Sequence, residues 1–484
     1  MKEFQRRERR REMASQAKDS LLAFIEVMHP HYRVNWHHRA ICERLTKLKD
    51  ETGKKIMIFV GPQRGKSEIV SRYFPAWWLG HFPSSKNILS SYSGDLANSF
   101  NRDCQGIMAE SRYKEIFPET IIGIGGLKAT QNEVATSKRG YLFSVGVGGS
   151  TTGRSAGEIN TGNISPSPGL FICDDPIKDL AEAFSTTFRK RKMDWWRAVV
   201  STRIHNTSHT ILMHTRWHTQ DVAGQLLKDG AIEDGWEVLS FPELGPDKDY
   251  ENEYDPRTEK NEPLWPEEKG DYEQLMKKKR EVGSYTWAAL FQQKPKIDGG
   301  NIIREEWVKL YHSLPFDPQK LKSTEIIQSW DLQFKKTGTS YTVGITIAKK
   351  NADFYLIDFY RKKADVIDSG KEITEMSKRW PNCLTILIED KANGPAILSL
   401  LGKKVTGLIP VRPTASKDER LHSVSPIFES GNFHIPANHP ETKAILDELT
   451  SFPVCANDDI VDAISQGLIH FSSLKGLRYL RAYK

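Results

Sequence analysis

The chain has 484 residues, 38% hydrophobic and 27% charged, with a net charge of +7 at neutral pH. That length exceeds one ordinary core and implies two or three domains, and the mild basic excess is compatible with nucleic acid without requiring it. The five scattered cysteines (Cys42, Cys104, Cys173, Cys383 and Cys455) form no Cys-x-x-Cys pair, which argues against a disulfide framework and a structural zinc site and fits a reducing cytoplasm.

No apolar run reaches spanning length, so no membrane segment is expected, and the charged N-terminus lacks a signal-peptide core. Residues 1–20 mix Lys2, Arg6, Arg7, Arg9, Arg10 and Arg11 with Glu3, Glu8 and Glu12. Such a run reads as a solvated helix before it reads as a DNA-binding arm. Leu21–Met28 patterns as an amphipathic helix, and Trp36-His37-His38 leads into a second one through Leu45. The nearby histidines match no metal-ligand spacing, so packing and polar contacts are expected of them.

Lys54–Val60 is a short apolar run that reads as a buried strand, ending in the turn Gly61-Pro62-Gln63-Arg64. Gly65-Lys66-Ser67 then opens a helix. Helix-start N–H groups, a Lys that reaches outer phosphate oxygens and a Ser that can ligate Mg²⁺ are what a nucleotide triphosphate needs. Val60 stands where the strict phosphate-loop pattern has its first Gly, and Gly61 follows one position later. The ATP-binding set expected is Gly61, Pro62, Gln63, Arg64, Gly65, Lys66 and Ser67, together with Trp36.

Glu68–Gly80 patterns as a helix that Pro75 should kink or end. Asn87–Tyr92 is a second strand, followed by a helix over Asp95–Ala109, and this alternation argues for a parallel α/β sheet. The Gly-rich loop Gly146–Arg154 fits a phosphate contact or a plain hairpin connection equally well. Leu170–Asp175 is a strand that delivers paired carboxylates at its C-terminal end, where open α/β sheets bind ligands. The expectation is that Asp174 holds the Mg²⁺ complex and Asp175 orients the attacking water. Thr210–His218 is a further strand, with Thr215 placed to sense the γ-phosphate and Arg216 to contact phosphate or DNA. Residues 245–270 read as an irregular surface excursion, Tyr272–Val282 as a charged helix, and Lys294–Gly300 as a linker.

The pattern then restarts. Glu325–Trp330 leads to Asp331, and Tyr341–Lys349 with Phe354–Tyr360 completes an antiparallel meander. Thr385–Ile388 ends in Glu389-Asp390, and Asn457–Ala463 opens a strongly apolar helix carrying Asp458, Asp459 and Asp462. Carboxylates from separate elements that converge on two Mg²⁺ or Mn²⁺ ions astride a phosphodiester are the requirement of a ribonuclease H-type metal nuclease. Asp459 and Asp462, three apart, share a helical face, as Asp458 and Asp462 do at four apart, while Asp458 and Asp459 diverge. Asp462 belongs to both pairs and Asp459 sits where Ile460 and Val461 can anchor the helix beneath, which ranks Asp459 and Asp462 ahead of Asp458.

The ordered set of strings resembles the large terminase subunit of tailed bacteriophages over most of the chain, from about Val34 to Leu468. The strings are Gly65-Lys66-Ser67-Glu68, Phe74-Pro75-Ala76-Trp77, Ser91-Tyr92-Ser93 with Leu96-Ala97, Gly146-Val147-Gly148-Gly149, Asp174-Asp175-Pro176 and Thr215-Arg216-Trp217-His218 with Asp221. Asp255-Pro256-Arg257, Leu264-Trp265-Pro266, Glu389–Gly394, and Asp458-Asp459 with Asp462-Ala463 complete the set. Gln63 and Arg64 stand where relatives with this motif tend to have Arg and His, and the acidic pair is Asp-Asp where many have Asp-Glu.

The resemblance implies an α/β protein: an N-terminal P-loop packaging ATPase domain with a parallel sheet, and a C-terminal ribonuclease H-like nuclease domain with a mixed sheet. The partition it implies is a basic helical arm over 1–30, the ATPase over 31–295, a linker over 296–322 and the nuclease over 323–484. It also implies ATP as substrate, and as partners double-stranded DNA, a small terminase subunit, the portal protein of the procapsid and further copies in a ring on the portal. It places the protein in the host cytoplasm and not in the mature virion, and Arg154 is the choice for an arginine finger acting in trans. Two other readings compete: a DNA repair or recombination motor with a resolvase-like nuclease, and a motor or docking subunit whose C-terminal acids are structural. Metal-dependent cleavage by residues 323–484 separates the last from the rest.

Overall fold

A computed structural model describes residues 2–123, 127–151, 153–157, 167–250, 252–295, 302–332, 341–390, 394–402, 404–413, 415–453, 455 and 457–482. Two compact units divide the chain, one comprising Met1–Lys278 with Tyr285–Lys296, the other Lys279–Ser284 with Ile297–Lys484.

The first unit is built on strands β1 (Lys55–Val60), β2 (Lys86–Ser91), β3 (Glu133–Ala135), β4 (Tyr141–Gly146), β5 (Leu170–Asp174), β6 (His209–His214) and β7 (Trp236–Phe241). Their order is β3-β4-β2-β5-β6-β1-β7, parallel throughout except for β3 against β4. The apolar runs are continuous because both faces are covered, as a central parallel sheet requires. Ile56, Ile58 and Val60 of β1 enter one core with Phe24, Trp77 and Ile211, while Met57 and Phe59 enter the opposite core with Phe171, Trp196 and Leu212. Leu21, Phe24 and Ile25 belong to the first core, so the second half of the expected arm 1–30 is a packed helix, anchored where its cap Ser20 accepts from the Ala23 N–H. A short pair, β8 (Leu244–Gly245) and β9 (Glu262–Pro263), ties the excursion after β7.

The second unit carries β10 (Lys309–Tyr311), β11 (Ile326–Asp331), β12 (Thr342–Lys350), β13 (Asp353–Lys362), β14 (Ile386–Glu389), β15 (Leu408–Val411) and β16 (Phe433–Pro436), in the order β10-β16-β13-β12-β11-β14-β15. The antiparallel meander β11-β12-β13 forms as its alternation dictates. β14 joins β11 in parallel with Trp330 opposite Ile388. On one face lies the helix Asp459–Ala482, whose Ile460, Val461 and Ile464 meet Ile327, Ile345 and Ile347; on the other, Ile373, Met376 and Ile397 meet Trp330, Ile386 and Ile388. The expected linker 296–322 differs from the structure in its described part. Ile303 and Val308 are buried in the second core, and β10 is that sheet's edge strand, pairing in parallel with β16. Residues 296–301 lie outside the described residues.

Pro75 does not end its helix. Residues Glu68–Tyr73 form a wide π-type turn that continues directly into Phe74–His81, with Pro75 in the first turn of the α-helical part, where its missing N–H is tolerated.

Candidate functional site

The sheet order places three strand ends side by side: β1 with its Gly-rich turn, then β6, then β5. Above them opens a cavity of about 410 Å³ lined by Pro62–Glu68, Arg72, Tyr92, Asp175, Ile177, Lys178, Thr215, Trp217 and Leu290. The volume suits a nucleotide. Lys66 Nζ lies 2.9 Å from Asp175 Oδ2 and donates to Thr215 Oγ1. The Thr215 N–H in turn donates to Asp175 Oδ1 at 2.5 Å. Gln63 (φ 57°) and Asp175 (φ 45°) both hold left-handed backbone, which costs a non-glycine residue free energy and is characteristically retained at functional loops.

The two acids differ in environment. Asp174 is buried and accepts from Ser71 Oγ at 2.6 Å. Burial, with the charge of Asp175 beside it, pushes its carboxyl up to about 7. Asp175 is held below the usual range, because Lys66, His214 and the Thr215 N–H outweigh the burial that acts in the other direction. A divalent cation fits this donor set: among the described residues no cation pairs directly with Asp174, on which Lys66 acts only through its charge, and the Ser67 hydroxyl stands beside it.

Arg64 lines the cavity, but its guanidinium is turned onto Glu243, with Nε at 2.9 Å and Nη2 at 2.8 Å from Oε2, both residues being buried. Glu243→Ala is therefore expected to strand a buried guanidinium and lower stability by about 3–5 kcal/mol, read as a fall in melting temperature. Sequence reasoning missed Glu243 because the strand before it, β7, was not read from the pattern. A run of Trp236, Val238, Leu239 and Phe241 ahead of a lone Glu was the available signal.

Several expected site residues do not reach the cavity. Trp36 does not line it; its indole donates to the Leu264 carbonyl at 3.1 Å and its ring lies under Arg257. Arg216 is a correction to the phosphate or DNA contact expected of it. It is buried, stacks on Phe59 and donates to Asp221 at 3.0 Å. Asp221 also accepts from the N–H groups of Trp217, His218 and Gly224, so the Thr215–Asp221 string is a staple that shapes the loop after β6. Arg154 stands over Tyr141 and Phe143 and donates to Glu133 at 2.5 Å, leaving it about 28% exposed. Within the Gly146–Arg154 loop, Thr152 lies outside the described residues.

In the second unit, ligand atoms of Asp331, Glu389 and Asp462 come within 4.8 Å of one another. The geometry follows from the fold. Asp331 and Glu389 end neighbouring parallel strands one residue past the Trp330–Ile388 pair, and Asp462 projects from the crossing helix one turn before Gln466, which donates to Ser329 at 2.9 Å. Burial pushes the Asp331 carboxyl well up, and Asp462, Glu389 and Asp459 add to the effect. Asp462 is pushed up by burial too, although Arg420 at 2.7 Å and Lys417 at 2.6 Å oppose it. Three converging carboxylates, two of them, Asp331 and Asp462, pushed up by burial, are a hard-oxygen donor set, which fits Mg²⁺ or Mn²⁺. The ranking of the helix acids needs correcting. Asp459 is not in this trio: its Oδ2 accepts the Tyr341 N–H at 2.8 Å and so anchors the start of β12. Asp458 pairs with Lys417 at 2.7 Å. Lys391, Ala392 and Asn393 of the Glu389–Gly394 string lie outside the described residues.

A strand-turn-helix phosphate loop beside paired strand-end acids defines a P-loop NTPase-type domain, and a mixed sheet with acids on two strands and a crossing helix defines a ribonuclease H-like one. A family model described as "Terminase large subunit, T4likevirus-type, N-terminal" matches residues 57–310, over half the chain, and one described as "Terminase RNaseH-like domain" matches residues 328–471. The chain belongs to the terminase large subunit family. Among solved structures, the large terminase from a thermophilic bacteriophage (crystal form 2) aligns over 92% of this chain and 97% of that one, with a TM-score of 0.50 and 10% identity, a likeness of fold. The HK97 bacteriophage large terminase aligns over 89% and 92% with a TM-score of 0.37 and 10% identity. The large terminase nuclease from thermophilic phage G20c with bound magnesium aligns over 36% of this chain and 98% of that one, with a TM-score of 0.29 and 14% identity. No curated protein sequence matches the chain. No helix of the described residues is long and apolar enough to cross a membrane.

Proposed function

We propose that the chain is the motor-nuclease subunit of a viral DNA-packaging machine, hydrolysing ATP to drive double-stranded DNA into a procapsid and cutting concatemeric DNA with its second unit. The observation that carries this reading is the Lys66–Thr215–Asp175 cluster over a nucleotide-sized cavity, on a family chain that also holds the Asp331–Glu389–Asp462 trio. An incoming γ-phosphate offers Lys66 a stronger anionic partner than Asp175. Asp175, released from Lys66 but still held by the Thr215 N–H, is then free to accept a hydrogen bond from the attacking water. Ser67 and Asp174 would hold a Mg²⁺ arriving with the nucleotide. Thr215, bridging Lys66 and Asp175, links the state of the γ-phosphate to β6.

In the nuclease unit, Asp331, Glu389 and Asp462 would hold two Mg²⁺ or Mn²⁺ ions. Bound there, such ions supply Lewis acidity to the phosphodiester and lower the pKa of a coordinated water. The residues orient that centre: β11 and β14 fix two carboxylates in register, and Lys417 and Arg420 steady the third. The partners proposed are double-stranded DNA, a small terminase subunit, the portal protein and further copies of this chain in a ring, in the host cytoplasm. The partition proposed is ATPase over 31–295 and nuclease over 323–484. The test is whether ATP hydrolysis rises when empty procapsids and DNA are both present; a rate indifferent to both would sink the reading.

A motor that tracks every sequence grips phosphates. DNA affinity should therefore fall with salt at a log–log slope of about −0.9 per phosphate contacted, with little base preference. The basic stretches 189–192 and 402–404 are the candidates: in the first, Arg189 and Lys192 are buried, Lys192 at 3.2 Å from Glu182, and Lys190 and Arg191 are exposed. Lys404 is exposed, and Lys403 lies outside the described residues. Filter-binding affinity that is flat with salt and strongly sequence-dependent would contradict this.

A further inference from the structure

Two imidazoles converge on one backbone oxygen of the phosphate loop. His37 Nε2 lies 3.1 Å and His38 Nε2 3.0 Å from the carbonyl oxygen of Arg64, with the rings 4.0 Å apart and both side chains buried. Their protonation follows from the other ring nitrogens. The Asn35 backbone N–H donates to His38 Nδ1 at 3.1 Å. Asn35 Nδ2 stands 2.8 Å from His37 Nδ1 and 2.8 Å from the Leu264 carbonyl. A carbonyl only accepts, so the atom facing it is the amide nitrogen, and its second hydrogen goes to His37. With both Nδ1 atoms accepting, both histidines are Nε2–H tautomers, and both donate to the Arg64 carbonyl. Burial holds each of them neutral, His38 near 4 and His37 well below its ordinary value.

The Arg64–Gly65 peptide is planar and trans, so its N–H points opposite to its C=O. With the C=O fixed on the histidine side, the Gly65 N–H is directed away from them, to the side where Gly65, Lys66 and Ser67 line the cavity. Space agrees. A Cβ on Gly65 (φ +77°) would stand 2.6 Å from His38 Nε2 and 3.0 Å from Tyr32 Oη, so the loop backbone is pressed against this wall.

We propose that His37 and His38 are positioning residues of the ATPase site, a paired brace that locks the Arg64–Gly65 peptide so that the Gly65 N–H donates to the phosphate chain of the nucleotide. Two hydrogen bonds on the carbonyl also polarise the peptide and make that N–H a stronger donor. This rests on the ATPase reading above and adds a role for residues that never touch the nucleotide.

The test is calorimetric titration of the full chain with ATPγS, ADP and inorganic pyrophosphate. His38→Leu, which keeps bulk and removes the donor, should weaken all three ligands by about three- to tenfold. His38→Gln, whose amide offers a donor at similar reach, should recover most of that loss at a melting temperature no higher than that of the Leu variant. Where His38→Leu does not fold, Asn35→Ala removes the amide that sets the His37 tautomer and should raise the three dissociation constants together. Affinities within twofold of wild type in the variant that folds, or a Gln variant as weak as Leu, overturn the brace and leave the ATPase reading standing. A wild-type chain that binds none of the three ligands overturns both.

Discussion

Lys66→Ala is expected to abolish ATP hydrolysis, with a fall of about a hundred- to a thousandfold or more, and to leave metal-dependent DNA cleavage near the wild-type rate. Lys66 is the buried cation beside Thr215 and Asp175 at the cavity. Charge compensation at a transferring phosphoryl group, in a place closed to water, is worth about 3–4 kcal/mol of barrier. The Asp331–Glu389–Asp462 trio lies in the other compact unit and has its own cations, Lys417 and Arg420. Phosphate release and plasmid cleavage measured on one preparation separate the two activities, and unchanged hydrolysis would remove the motor assignment. Asp174→Asn sharpens the point. Asp174 is buried with its carboxyl pushed up to about 7, so its ionised form is disfavoured in the fold without nucleotide. Neutralising it should cost little stability while stopping hydrolysis, an outcome a structural acid would not give.

What was legible in the sequence was what depends on local pattern. The fully buried strands β1, β5 and β6 announce themselves as short apolar runs, and the chemistry sits at their ends, so Lys66, Asp174, Asp175 and Thr215 could be named before their proximity was known. Strand order cannot be read from such runs. The position of β6 between β1 and β5, which sets Thr215 between Lys66 and Asp175, arises from long-range pairing. Less apolar strands were missed: β4 alternates in burial, β15 is an edge strand half open to solvent, and β7 is broken by Glu237. The contacts of Arg216 and Asp459 depart from expectation for one shared reason. Spacing says which residues share a face but not what the opposite side of that face offers, and Asp221 and the Tyr341 N–H were nearer partners than phosphate or metal. The His37–His38 pair was correctly read as polar contact, but its partner, a loop carbonyl supplied by Arg64, leaves no mark in the sequence.

Asp331→Asn is expected to eliminate DNA cleavage, to leave ATP hydrolysis intact, and to raise the melting temperature of the metal-free chain. The sign comes from the carboxyl of Asp331, which burial and the charges of Asp462, Glu389 and Asp459 push well above its ordinary value. A folded-state value above the unfolded one means that this group favours the fold below the ordinary carboxylate range. That contribution is lost as pH rises through the raised value. At neutral pH, without metal, Asp331 therefore works against its own unit, because folding must either bury its charge or take up a proton, and the amide removes that opposition. The wild type, in contrast, should be stabilised by Mg²⁺ or Mn²⁺, by about 2.7 kcal/mol at a hundredfold excess over Kd. Asp331→Asn, with one of three convergent ligands weakened, should gain much less. Thermal melts of both proteins with and without MnCl₂ over a pH series, run beside a cleavage assay, test the two signs together. A variant less stable than wild type without metal, yet equally stabilised by it, would mean that the ions bind elsewhere; a variant that still cuts DNA at the wild-type rate would remove Asp331 from the nuclease.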